Sequence, residues 1–83
     1  MTIFPPEWAE TLRAAPQRRV AAIVRLHADA PEDEGLWKAR GLHVRRRYRL
    51  MNAVAVEGPA AALLALADEP WVERIEPDPE VHL

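Results

Sequence analysis

Eighty-three residues, 49% of them hydrophobic and 29% charged with a formal net charge of −2, describe one small globular domain and exclude a second domain, a disordered tail or a polycation built to coat nucleic acid. Cysteine and serine are absent and Thr2 and Thr11 are the only aliphatic hydroxyls. Disulfides, thiolate metal sites and the usual acyl-transfer nucleophiles are therefore missing, which argues against an enzyme. No basic start leads into an apolar run and no segment approaches the ~20 apolar residues of a membrane span. The chain as written is expected in the cytoplasm, or outside the cell if a natural signal ahead of Met1 has been removed.

Eight prolines divide the chain. Residues 5–15 predict a short helix, with prolines in the first turn and Phe4, Trp8 and Leu12 recurring at four-residue spacing. These three are expected to cover the edge of the core or a sister subunit. Residues 20–28, VAAIVRLHA, predict a strand: Val20, Ala22, Val24 and Leu26 share one face, while Ala21, Ile23, Arg25 and His27 share the other, so the position is central. Asp29, Pro31 and the acids Glu32, Asp33 and Glu34 open a second short helix through Leu36, Trp37 and Lys38, ended by Gly41.

LHVRRRYRL alternates, with Leu42, Val44, Tyr48 and Leu50 against His43, Arg45, Arg47 and Arg49, and Arg46 alone breaks the apolar side. It reads as a strand. Met51 and Asn52 supply a tight connection into AVAVE, in which Val54 and Val56 oppose Ala53 and Ala55, so residues 42–57 predict a hairpin. Gly58 and Pro59 start the Ala-rich helix AAALLALADE, with Leu63, Leu66 and Ala67 on one face, and Pro70 stops it. WVERIE is a short strand, and two prolines hold PDPEVHL extended. Trp37 and Trp71 are expected to pack under the helices.

After the leading helix the order is strand, helix, strand, strand, helix, strand. It folds most simply as a ferredoxin-like α+β domain: an antiparallel βαββαβ sheet with two helices on one face, plus the short N-terminal helix. The expected organisation is an N-terminal helical extension over residues 1–19, the ferredoxin-like domain over 20–78 and an extended C-terminal tail over 79–83. The helices would cover Val20, Val24, Val54 and Val56. The opposite face would be open, floored by Ala21, Ile23, Ala53 and Ala55, and suited to close approach by another protein.

From Gly41 onward the chain resembles the prodomains of subtilisin-like serine proteases and the free-standing peptidase inhibitors related to them. The hairpin YRLMNAVAVE, the helix followed by DEPWVERIE and the closing EPDPEV carry the resemblance, and with VAAIVRLHA it spans residues 20–83. The helix between the first two strands is shorter than the family norm, and the residues before Val20 match nothing in the family. The resemblance implies that the open sheet face packs on two surface helices of the protease and that Glu76 and Asp78 cap their N-termini. Carboxylates two residues apart on an extended chain point the same way, each toward unsatisfied N–H groups and a favourable dipole. It further implies that Pro79, Glu80, Val81, His82 and Leu83 enter the active-site cleft like an unreleased product, with Val81 in the pocket for the fourth residue before the cut.

The expected function is inhibition of a subtilisin-like serine protease and, where the chain is joined to that protease, an intramolecular chaperone role in its folding. The alternative is a structural or regulatory ferredoxin-like module that forms a homodimer through the open face. Nucleic acid is not an expected partner, despite Arg45, Arg46, Arg47 and Arg49 around Tyr48. Residues 57–83 hold seven acids against Arg74, and like charges on an edge strand guard against aggregation. A membrane surface is not expected either, because the first helix sets only Arg13 beside Glu7 and Glu10. His27, His43 and His82 lie far apart without ligand spacing, so no metal is expected, and no cofactor.

Overall fold

Two prolines open the first element. In the computed structural model, which describes residues 3–31 and 33–78, α1 spans Pro6–Ala14 with Pro5 at its N-cap. Proline suits this position because a helix start needs no N–H there. Glu7 in the first turn and Arg13 in the last complement the helix dipole. Phe4, Ala9 and Leu12 are buried, and Trp8 packs against them with its ring centroid 6.0 Å from that of Phe4.

The remaining elements are β1 (Arg19–Leu26), α2 (Glu34–Ala39), β2 (His43–Tyr48), β3 (Ala53–Pro59), α3 (Ala60–Leu66) and β4 (Val72–Pro77). This is the expected succession of elements in a small α+β fold. The four strands form one sheet in the order β2-β3-β1-β4, antiparallel at each pairing, with β1 and β3 central as their apolar content predicts. Ala22, Val24 and Leu26 of β1, Val54 and Val56 of β3, and Val72 and Ile75 of β4 share one core with residues from all three helices. Trp37 and Trp71 meet edge to face in it, 5.5 Å between centroids. Such a contact adds to the area that both indoles bury.

Helix ends are closed by neighbours. The Asp33 carboxylate accepts from the Gly35 amide at 2.9 Å to start α2. At its other end Gly41 takes φ +79°, a left-handed conformation that suits glycine, and the Leu42 amide turns back to the Trp37 carbonyl at 2.9 Å. The first amides of α3 donate outside the helix, Ala60 to Arg18 O at 2.9 Å and Ala61 to Pro16 O at 2.8 Å. The loop between α1 and β1 thus satisfies groups that a helix start leaves open.

Pro59 is the N-cap of α3, as expected, and Gly58 and Pro59 also form the end of β3, paired with Val20 and Arg19. A Cβ on Gly58 would stand 2.7 Å from Leu42 Cδ2 and 2.8 Å from Gly41 O, so close approach of two backbones is what this glycine permits. α3 ends at Leu66 rather than running to Pro70, because Ala67, Asp68 and Glu69 donate three residues back and tighten the chain into turns. The hairpin connection occupies residues 49–52 instead of two residues. Asn52 sits there at φ 50° and donates through Nδ2 to the carbonyls of Leu26 (3.0 Å) and His27 (3.1 Å). Leu50, expected on the apolar side of the strand, is fully exposed at the tip.

The alternation of β2 is corrected as well. Val44 pairs with Val56, but Arg46 pairs with Ala55 and Tyr48 with Ala53, so one extra residue stands in β2 at Arg45. This β-bulge moves Arg46 and Tyr48 to the side of the sheet away from the helices and sets Arg47 opposite Val54. Arg46 does not break an apolar face; it belongs to the other one.

Candidate functional site on the helix-free sheet face

Side chains directly opposite in a sheet share a face. Ile23 lies between Ala55 on β3 and Glu76 on β4, Ala21 is opposite Glu57, and Arg25 lies between Ala53 and Arg74. The expected floor residues Ala21, Ile23, Ala53 and Ala55 thus do share the face away from the helices. The openness expected of that floor is corrected at two of them. Ala53 and Ala55 are each 2% exposed, while Ala21 and Ile23 are half-buried. The physical reason is reach: a methyl group between long side chains is roofed by them, and Arg25, Arg46 and Tyr48 are the face neighbours of these alanines.

What covers the face is charge. Glu76 lies 2.8 Å from Arg74 Nε and 3.8 Å from Arg25 Nε, separating two arginines that the register sets opposite one another. Arg19 reaches Glu57 at 3.5 Å, and the Arg46 guanidinium lies 5.9 Å from the centre of the Tyr48 ring. Each of these pairs is substantially exposed, so none stabilises the chain by more than about 1 kcal/mol. Their collective effect is a surface of mixed sign around the half-buried strip of Ala21 and Ile23.

The two acids assigned to helix capping behave differently. By the register, Glu76 pairs with Ile23, and the Asp78 amide donates to Ala21 O at 3.2 Å, so both carboxylates issue on the same face as their spacing predicts. The Glu76 side chain is 31% exposed. That of Asp78 is 4% exposed and has Arg45 Nη1 3.8 Å from its Oδ2. Pro79, Glu80, Val81, His82 and Leu83, the expected cleft-binding tail, lie outside the described residues.

Arg25, Arg45, Arg74 and Glu57 are not given a site role by the sequence, in which Arg45 reads as edge protection. The break in alternation at Arg46 is the available signal, since an interruption of period two marks a bulge and re-aims the side chains beyond it. Among the described residues no group of three or more His, Cys, Asp or Glu side chains could hold a metal ion, and no described helix is long and apolar enough to cross a membrane. In comparisons with known proteins, no family model matches the chain and no curated protein matches it.

Proposed function

We propose that this chain is a ferredoxin-like module of the subtilisin-prodomain kind, which binds a subtilisin-like serine protease through its helix-free face and inhibits it by leaving its C-terminal tail in the cleft. The observation that carries the reading is the position of Glu76 and Asp78. They stand on the helix-free face at the end of an outer strand, where the chain continues toward residues 79–83. The strand order β2-β3-β1-β4 with two central apolar strands supports the ferredoxin-like assignment.

On this reading the partly exposed Glu76 carboxylate meets the unsatisfied N–H groups of a protease helix, where a capping bond is worth about 1 kcal/mol and the helix dipole about 0.3 to 1 more. The strip of Ala21 and Ile23 packs on the same surface, and the tail supplies substrate-like main chain to the cleft. Inhibition results from occupancy, with no chemistry required of the inhibitor. Where such a module precedes its protease in one chain, the same complementarity templates folding.

The test compares the full chain with a chain ending at Asp78 against a panel of subtilisins. The full chain is expected to inhibit at least one of them, and the shortened chain to keep its circular dichroism spectrum and lose the inhibition. Equal inhibition by both would sink cleft occupancy, and a full chain that neither binds nor inhibits any member would sink the protease reading.

A further inference from the structure

The Ile75 amide points away from β1, donating to Ile3 O at 2.9 Å, and the alternation of a strand then turns the Asp78 amide toward β1. It reaches Ala21 O at 3.2 Å. A single bond at the end of an outer strand holds a chain end poorly. The side chain supplies a second hold. The Asp78 carboxylate is 4% exposed and meets Arg45, which belongs to β2 at the opposite edge of the sheet. Three strand spacings, about 14 Å, separate those edges. Asp78 and Arg45 therefore lean toward each other across the face, and with Arg46 and Tyr48 they enclose a small cleft over Ala55.

The bulge makes this reach available, because the extra residue at Arg45 leaves both it and Arg46 beside that cleft. A carboxylate covered to this degree is not available to cap a helix of a partner.

We propose that Arg45 and Asp78 form an internal clasp that positions the root of the tail, so that Asp78 acts within the chain and Glu76 is the carboxylate left for the partner. This rests on the protease reading above for its consequence, but not for its existence. Arg45 is accordingly a positioning residue. With the clasp closed, residues 79–83 start from a fixed point on the face, and less chain entropy is lost when they enter a cleft.

A charge swap tests it. Arg45→Asp, Asp78→Arg and the double variant are compared for inhibition of the protease, for melting temperature and for hydrogen exchange of the Asp78 amide. Each single variant is expected to exchange faster at Asp78 and to inhibit about tenfold less well, at a melting temperature close to that of the parent. The double variant is expected to recover both. Parental inhibition and exchange in Arg45→Asp, together with no recovery in the double variant, would overturn the clasp and return Asp78 to a direct role on the partner. If the reversals unfold the chain, Arg45→Gln and Asp78→Asn provide the same cycle, in which purely additive effects refute the pair. A parent that binds no protease removes the proposed function alone, since the exchange measurements still decide the clasp.

Discussion

The Ile75 amide donates to the Ile3 carbonyl at 2.9 Å, which lays the residue before Phe4 along the outer side of β4. An outer strand presents unpaired N–H and C=O groups that invite pairing with another chain, and covering them is one means of avoiding it. The same segment contributes Phe4, and α1 contributes Ala9 and Leu12, to the core shared with the sheet. Residues 1–19, expected as an extension, thus pack as part of the domain from residue 3 onward, in the structural role expected of Phe4, Trp8 and Leu12.

Removal of residues 1–15 should therefore unfold the domain or leave it barely stable. Burial of Phe4 and Leu12 is worth roughly 3 to 6 kcal/mol together, against a total of about 4 to 12 kcal/mol for a chain of this size. Thermal denaturation followed by circular dichroism measures it. A truncated chain melting within a few degrees of the parent would show α1 to be dispensable.

Gly58→Ala should destabilise although alanine is the smallest change available. Its Cβ would meet the Gly41 carbonyl oxygen at 2.8 Å, and backbone yields less readily than a side-chain end. A cost of about 1 to 3 kcal/mol is expected, which lowers the melting temperature of a domain this size by at least ~4 °C.

Glu76→Gln should separate binding from stability. The pairs with Arg74 and Arg25 are exposed enough that their loss costs the fold less than about 1 kcal/mol. Inhibition of the protease should fall roughly threefold to tenfold, as expected for weakening a charged cap and its dipole interaction. Because such contacts are screened, the difference should narrow in high salt. Inhibition equal to that of the parent at low salt would remove Glu76 from the interface.

Ile23→Lys probes the face itself and discriminates between a protease partner and a second copy of the chain. Ile23 is half-buried beside Glu76, so a lysine can keep its stem on the sheet and its ammonium near a carboxylate. The melting temperature should change little, while an interface closing over that charge should weaken tenfold or more. Loss of inhibition in a monomeric chain supports the protease reading. Conversion of a dimer to monomer without any effect on a protease supports the dimer module instead. Ala53 and Ala55 are unsuited to this test, because lysine at either would have to displace the side chains that cover it.

Element order and the two faces of the central strands were legible in the sequence, because both depend on local rules. Prolines and Gly41 punctuate the chain where helices start and end, and period two in VAAIV and AVAV assigns Val24, Val54 and Val56 to the core and Ala21, Ile23, Ala53 and Ala55 to the other side. The spacing of Glu76 and Asp78 likewise placed both on one face. What the tertiary structure decided depends on partners distant in sequence. The register of β2 against β3 turns on a bulge at Arg45, which period alone reads as a flaw at Arg46. Gly58 belongs to a strand because Val20 pairs with it, and it has no side chain where Gly41 lies against it. Phe4, Ala9 and Leu12 belong to the core because β4 and α3 offer residues 3–14 a place. Asp78 is buried with an arginine of β2, three strands away, beside its carboxylate, and no local pattern specifies a contact across the width of a sheet.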